Sequence, residues 1–336
     1  MPQKGSQKQL EDFRYDPKLL KQAYRADLKA KEMEQELKKK RIFKIIAISV
    51  SVILIFVLSF LLSQFSLFKK TKYIKTYEIE GKFVDVNTDF GVAPLSSTVF
   101  DTDLVISKSA LYANLNNGEI LYQKNIDEPS YIASITKLMT ALVATKEFEL
   151  SDTVEVKQDW YRGEDMEWSL GFDKGDSVTV KALLEGMLIS SYNDPAYVLA
   201  DHMDGGVDAF VEKMNGYANS LGLNDTKFNN PSGLDIAGGN ISTVRDLYRL
   251  ITVVYRNDFM MDTLGRGYAD LTWDIGKERI YTTNALLGQF GNIAGKTGST
   301  KLAGKCFVGI TKDGYVSIVL DSNERFEDTE KFLREL

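Results

Sequence analysis

The chain has 336 residues, of which 44% are hydrophobic, and a formal net charge of -6. With 25 Gly and 6 Pro, its composition excludes a collagen-like or disordered chain. The single Cys excludes an internal disulfide, and the single His excludes a zinc site built on two histidines. A Ser-His-Asp triad could use only His202, so we expect any hydrolytic chemistry to use another base.

The N-terminal part is organised around one apolar segment. Residues 1–44 contain 13 basic and 7 acidic residues and predict a polar cytoplasmic tail. Residues 45–63 carry no charge and the apolar run extends to residue 68, about the 20 residues that a membrane-spanning helix needs. We therefore predict a transmembrane signal-anchor helix over residues 45–68. Eight Lys or Arg lie within the 20 residues before this span and five within the 20 after it, which favours a cytoplasmic N-terminus.

The rest of the chain divides into a stalk, residues 69–100, and one domain, residues 101–336. Because residues 1–44 carry +6 and the whole chain -6, the remainder carries -12, which argues against a nucleic-acid partner. The predicted elements of the domain are, in chain order, a hairpin of strands 110–115 and 119–123, a buried helix 132–147 capped by Ser130, helices 180–189, 207–221 and 243–255, a hairpin of strands 306–311 and 315–320, and a helix 327–336. This order predicts an α+β fold, with an antiparallel sheet that joins the terminal hairpins and helices packed on it.

The first chemical motif lies in the predicted helix 132–147. Ser134 and Lys137 are three residues apart and therefore share one helix face. A serine hydroxyl becomes a good nucleophile when a base removes its proton, and a lysine can be that base if burial and nearby cations lower its pKa. Alone, the S-x-x-K spacing occurs by chance in many chains, but the apolar neighbours leave this helix little solvent-facing surface.

Two further motifs follow. Ser191-Tyr192-Asn193 comes directly after helix 180–189, and Pro195 permits a new helix to begin, which predicts an interhelical loop. A hydroxyl and an amide placed there could relay a proton and bind a substrate amide. Lys296-Thr297-Gly298, followed by Ser299, has the Gly-flanked composition of a strand edge that a ligand approaches closely, and its lysine and hydroxyls could hold a carboxylate. Each motif alone could be an ordinary polar loop or turn.

The three motifs in this order form the set found in penicillin-binding proteins and class A β-lactamases. Residues 101–336 resemble the D-alanyl-D-alanine carboxypeptidases, the low-molecular-mass penicillin-binding proteins. The stretches that carry the resemblance are GEILY at 118–122, ASITKLMT at 133–140, GMLI at 186–189, NPSGL at 230–234 and AGKTG at 294–298. The resemblance implies a DD-peptidase/β-lactamase-like fold with a sheet of about five strands, and it implies no metal and no cofactor.

The resemblance also implies roles for individual residues. Ser134 is expected to attack the penultimate D-Ala carbonyl of a peptidoglycan stem peptide, Lys137 to act as its base and Ser191 to pass the proton to the leaving D-Ala. The expected substrate-binding residues are Asn193 for the amide, and Lys296, Thr297, Gly298 and Ser299 for the carboxylate end. The backbone N–H groups of Ser134 and Ser299 are expected to form the oxyanion hole. β-Lactams are the expected covalent inhibitors.

Arg325 falls where the family places an arginine that helps to hold the terminal carboxylate; the alternative is a surface arginine at a helix start. The loop 320–325 is short, which places the reach of Arg325 in question. The sequence also departs from the family at Tyr192, Pro195 and Ser232, where a small residue, Ala, and His or Thr are usual. Many members add a C-terminal β-domain and an amphipathic anchor, and we expect the N-terminal span to replace that anchor here.

The expected function is therefore a serine D-Ala-D-Ala carboxypeptidase of cell-wall maturation, anchored in the cell membrane by one span with its catalytic domain outside the cytoplasm. Three alternatives remain at this point. A β-lactamase of class A needs a glutamate in an E-x-x-L-N setting, which the sequence lacks. A transpeptidase or endopeptidase would use the same residues, and a catalytically idle scaffold would not need them. His202 lies in a helical run and is expected to be structural.

Overall fold

The computed structural model describes residues 104–160 and 168–335. The predicted tail, the predicted span 45–68 and the stalk 69–100 lie outside the described residues. Among the residues that are described, no helix combines the length and the apolar character needed to cross a membrane.

Strands lie near both ends of the described residues, and most of the helices lie between them. In chain order they are β1 (Ser109–Asn114), β2 (Ile120–Lys124), β3 (Ser130–Tyr131), a 3-10 helix (Ala133–Thr136), α1 (Lys137–Glu147), β4 (Thr153–Glu155), β5 (Ser177–Thr179), α2 (Val180–Ile189), α3 (Asp194–His202), α4 (Gly206–Ser220), a second 3-10 helix (Ile236–Gly238), β6 (Ile241–Ser242), α5 (Val244–Tyr255), α6 (Asp258–Leu264), β7 (Tyr268–Trp273), β8 (Gly276–Tyr281), β9 (Asn292–Thr300), β10 (Gly304–Thr311), β11 (Tyr315–Ser322) and α7 (Arg325–Glu335).

An antiparallel sheet of five strands forms the centre of the fold, in the order β2-β1-β11-β10-β9. Within the described residues, the first hairpin joins the last through β1 and β11, with Ser109 opposite Leu320 and Asn114 opposite Tyr315. This pairing confirms the predicted α+β fold, in which one sheet unites the two ends of the domain. It also leaves β9 at the edge of the sheet, beside the helices.

Helix α1 lies inside the helical layer and packs against α2, α3, α4 and α5. Its residues from Lys137 to Ala144 are all buried, because neighbours surround it on every side. Removing a large side chain from such a position costs about 2–5 kcal/mol of folding free energy. The helix that carries the S-x-x-K motif is therefore held rigidly by the core.

The predicted helices match the observed ones within about two residues, with one revision at the start of α1. The chain enters through a 3-10 turn at Ala133–Thr136 before the α-helix begins. The prediction that Ser130 caps this helix was wrong, since Ser130 lies in β3 and pairs with Ser242 of β6. The N-cap position belongs to Ile132, whose backbone N–H donates to the carbonyl of Asn240. The start of this helix is therefore positioned by pairing with a segment distant in the chain, and not by a side-chain cap.

Helices α2 and α5 begin with local side-chain caps. The hydroxyl of Thr179 accepts the backbone N–H of Ala182 at the start of α2, and that of Thr243 accepts the N–H of Asp246 at the start of α5. Such caps satisfy N–H groups that have no partner within the helix. The α2 cap fixes where that helix begins, and α2 ends directly before the second motif.

Candidate active site

Ser134 and Lys137 are brought together by the turn that begins α1. Ser134 lies in the 3-10 turn and is half-buried, while Lys137 is completely buried. The Nζ atom of Lys137 lies 2.7 Å from the Oγ atom of Ser134. This distance allows a proton to pass directly from the hydroxyl to the amine.

Lys137 is held by two other groups besides Ser134. Its Nζ donates to Oδ1 of Asn193 and to the backbone carbonyl of Ser232, each at 2.8 Å. Burial lowers the pKa of Lys137 well below the usual lysine value, and the charge of Lys296 lowers it further, whereas Asp194 opposes both effects. The low pKa favours the neutral amine, which is the form that can accept a proton.

Ser191 occupies the loop between α2 and α3, as the sequence predicts. Its backbone has a φ of 64°, a left-handed conformation that non-glycine residues seldom adopt. Its hydroxyl lies 2.6 Å from Nζ of Lys296, which is on the edge strand β9. The loop conformation thus aims the hydroxyl at Lys296 of the third motif.

Lys296 is also completely enclosed. Its Nζ donates to the carbonyl of Thr297 at 2.8 Å as well as contacting Ser191. Burial lowers the pKa of Lys296 to about 7, with the neighbouring guanidinium of Arg325 as the second cause. An arriving carboxylate would favour the charged form of this lysine and bind to it.

Two glycines allow β9 and a neighbouring loop to approach the nucleophile. A Cβ atom on Gly298 would lie 2.9 Å from the carbonyl oxygen of Ile132 and 3.1 Å from the backbone nitrogen of Ser134. A Cβ on Gly233 would lie 1.9 Å from the carbonyl oxygen of Ala133. Only glycine permits both contacts. The contact at Gly298 places β9, and with it Ser299, directly beside the segment that contains Ser134. The backbone N–H groups of these two serines are the predicted oxyanion donors.

Arg325 reaches this region despite the short loop before it. As the first residue of α7, it donates through Nη1 to the carbonyl of Gly298 at 2.7 Å and to that of Cys306 at 3.4 Å. Burial lowers the pKa of its guanidinium. The structure therefore brings Arg325 to the KTG segment and to the neighbourhood of Lys296.

Asp194 joins the second motif to residues 170–172, a role that the sequence did not predict. Its carboxylate accepts the backbone N–H groups of Leu170, Gly171 and Phe172 at 2.8, 2.8 and 3.3 Å. Burial raises the pKa of Asp194, and these hydrogen bonds oppose that rise. The sequence does show an Asp directly before a proline at a helix start, but that pattern does not indicate which backbone N–H groups the carboxylate accepts.

Two more contacts had no clear signal in the sequence. The carbonyl of Ser232 accepts from Lys137, and the hydroxyl of Thr283 lies 2.6 Å from that of Thr297. His202, by contrast, is the last residue of α3, and its ring contacts Phe148 with centroids 4.9 Å apart. The contacts among Ser134, Lys137, Ser191 and Lys296 do not involve His202, and its structural role stays a prediction.

Comparison with known proteins identifies the family. Residues 97–323 match the model of peptidase S11, D-alanyl-D-alanine carboxypeptidase. The chain is 35% identical over 212 residues to D-alanyl-D-alanine carboxypeptidase DacB2 of Mycobacterium tuberculosis, covering 62% of this chain and 72% of the relative. It is 35% identical over 237 residues to D-alanyl-D-alanine carboxypeptidase DacC of Escherichia coli, covering 65% of this chain and 58% of the relative.

A solved structure agrees with the sequence comparisons. The fold is similar to penicillin-binding protein D2 from Listeria monocytogenes in its ampicillin-bound form, with a TM-score of 0.60 and 32% identity over 68% of this chain and 96% of the other. The sequence match, the fold and the order of the three motifs point the same way. The chain belongs to the D-alanyl-D-alanine carboxypeptidase family of serine hydrolases, as the resemblance in its sequence predicted.

Proposed function

We propose that the protein removes the terminal D-Ala from peptidoglycan stem peptides through an acyl-enzyme on Ser134. The observation that carries this proposal is the buried amine of Lys137, 2.7 Å from the Ser134 hydroxyl and with a lowered pKa. A neutral amine next to a hydroxyl is the pairing that activates a serine in the absence of histidine.

In acylation, Lys137 accepts the hydroxyl proton while Oγ of Ser134 bonds to the penultimate D-Ala carbonyl carbon. The negative oxygen that forms is stabilised by the backbone N–H groups of Ser134 and Ser299. As the C–N bond breaks, Ser191 passes its proton to the departing amine and regains one from Lys137, which carries the proton taken from Ser134, so that Lys296 keeps its charge for the carboxylate. Water then attacks the ester, with the proton transfers reversed, and releases the shortened peptide.

The carboxylate end of the peptide is proposed to bind to Lys296, Thr297, Ser299 and Arg325. Support comes from position, because a buried lysine, a threonine hydroxyl and an arginine meet at one segment of β9. Asn193 would bind the peptide amide, while its Oδ1 atom fixes Lys137. Gly298 supports this arrangement by letting the strand lie against the nucleophile segment.

β-Lactams are proposed as covalent inhibitors at the same serine. The Listeria relative described above has been solved in an ampicillin-bound form. In a β-lactam, the leaving amine stays tethered to the acyl group, so it can obstruct the approach of water. The sequence has no E-x-x-L-N motif for deacylation, so we expect a long-lived adduct on Ser134.

The setting is proposed from the sequence alone. A span over residues 45–68 would anchor the protein in the cell membrane, with the tail 1–44 in the cytoplasm and the catalytic domain outside. A protease added to intact cells should digest the catalytic domain and spare the tail. Protection of the domain from that protease would contradict this topology.

The decisive experiment incubates the purified full chain with a pentapeptide ending in D-Ala-D-Ala and follows the products by mass spectrometry. Release of one D-Ala supports the proposal, and Ser134→Ala is the matched inactive control. Ligation to an added acceptor amine would indicate a transpeptidase, and rapid turnover of penicillin a β-lactamase. Absence of both peptide cleavage and penicillin labelling would indicate a scaffold protein.

A further inference from the structure

Thr283 lies where two of the motifs meet, although it belongs to none of them. It follows β8 in the connection to β9, and its Oγ1 atom lies 2.6 Å from Oγ1 of Thr297. Its backbone N–H donates to the carbonyl of Ile189 at 3.2 Å. The adjacent contact is similar, with the hydroxyl of Ser190 donating to the carbonyl of Tyr281 at 2.6 Å. Residues 281–283 are thus joined both to the residues just before Ser191 and to Thr297.

The direction of the bond between the two hydroxyls decides what Thr297 can do. A threonine hydroxyl has one proton to donate and two lone pairs that accept, whereas a carboxylate only accepts. Thr297 can therefore bind a substrate carboxylate through its hydroxyl only by donating its single proton to it. When it does so, its bond with Thr283 must run from the Thr283 proton to a Thr297 lone pair.

We propose that Thr283 is a positioning residue for carboxylate recognition: it donates to Thr297 and thereby directs the Thr297 proton toward the terminal carboxylate of the substrate. This inference rests on the proposed function of the site. Without Thr283, the Thr297 hydroxyl could rotate about its C–O bond. With Thr283 present, one lone pair of the Thr297 hydroxyl is occupied, and a hydroxyl that accepts a hydrogen bond is a stronger donor.

The surrounding contacts make a clean test possible. The backbone bonds of Thr283 to Ile189 and of Tyr281 to Ser190 do not involve the Thr283 hydroxyl. Thr283→Val keeps the β-branched shape and replaces that hydroxyl with a methyl group, while Thr283→Ser keeps the hydroxyl and removes a methyl group. Thr272→Val is a matched control, because Thr272 is exposed on β7.

The experiment measures the acylation rate constants of the full chain with benzylpenicillin and with its methyl ester, which lacks the carboxylate charge. Thr283→Val should slow acylation by the free acid about five- to tenfold, the equivalent of one hydrogen bond, and should change the ester rate less than about twofold. Thr283→Ser should restore most of the rate, and Thr272→Val should match the wild type. Equal slowing of acid and ester, or no slowing of either, overturns the proposal.

A double-mutant cycle separates an indirect from a direct role. If Thr283 acts through Thr297, adding Thr283→Val to Thr297→Val should cause no further loss with the free acid. A full additional five- to tenfold loss would mean that Thr283 touches the carboxylate itself, and the positioning role would be refuted. A wild-type chain that forms no adduct would defeat the proposed function as well, whereas a reactive wild type with an unaffected Thr283→Val defeats only this inference.

Discussion

Gly233 offers the sharpest test of how backbone contacts position the nucleophile. Its φ is +86°, and a Cβ atom built there would lie 1.9 Å from the carbonyl oxygen of Ala133 and 2.9 Å from the nitrogen of Ser134. Gly238 has nearly the same φ, +88°, but a Cβ there would meet nothing within 4 Å. The pair Gly233→Ala and Gly238→Ala therefore separates backbone strain from steric collision.

The expected magnitudes follow from these two terms. A left-handed conformation costs a non-glycine residue about 1–2 kcal/mol, and both variants carry that cost. Ordinary contact begins near 3.4 Å, so Gly233→Ala must also push the Ala133 carbonyl away by roughly 1.5 Å, which resembles overpacking at about 1–3 kcal/mol. We expect the free energy of unfolding to fall by about 2–5 kcal/mol in Gly233→Ala and by about 1–2 kcal/mol in Gly238→Ala.

The displacement should affect catalysis as well as stability. A shift of about 1 Å in a reacting group can cost on the order of 10²-fold in rate. Urea unfolding would report the stability of each variant, and penicillin acylation per folded molecule would report the nucleophile geometry. Gly233→Ala should lose acylation on the order of 10²-fold, while Gly238→Ala should keep the wild-type rate. Equal stabilities of the two variants, or a normal acylation rate in Gly233→Ala, would refute the reasoning.

Three further predictions concern charged groups in and around the site. Lys137→Ala should lower carboxypeptidase activity on the order of 10²-fold or more, because the base is removed, whereas His202→Ala should retain most of it; the opposite result would refute the Ser–Lys assignment. Because the pKa of Lys296 is lowered to about 7 by burial and then by Arg325, Arg325→Gln should raise that pKa. The alkaline limb of kcat/KM against pH should then move to higher pH, since Lys296 stays charged longer, and a downward shift would contradict this account. Asp194→Asn should destabilise the fold by about 1–3 kcal/mol in urea unfolding, because an amide cannot accept all the N–H groups that the carboxylate accepts; an unchanged midpoint would show that these bonds contribute little.

Much of the fold could be predicted because its signals are local. The hairpin turn at residues 116–118 and the apolar helix 180–189 with its Thr179 cap each depend on residues within one or two turns of chain. Turn chemistry and helix periodicity act over such distances. The hairpin of β7 and β8 was missed, because only β7 alternates exposed and buried residues, whereas β8 buries a single side chain, that of Ile280, and so has little apolar pattern.

The sequence by itself determined the chemical identity of the site. The three motifs supplied a nucleophile, a possible base and a carboxylate-binding strand, and their order identified the family before any contact was known. It could not determine whether Lys137 is neutral enough to act as a base. That property depends on complete burial and on the charge of Lys296, which only the packed chain provides.

Tertiary structure alone decided which distant groups meet. Lys137 contacts Asn193 and Ser232, which are 56 and 95 residues away in the chain, and Lys296 contacts Ser191 across 105 residues. Arg325 likewise reaches β9 only through the pairing of the last strands. Every residue has a backbone carbonyl and threonines occur throughout the chain, so composition and spacing do not mark the carbonyl of Ser232 or the hydroxyl of Thr283. Their importance comes from where the fold places them, because hydrogen bonds depend on distances that only packing sets.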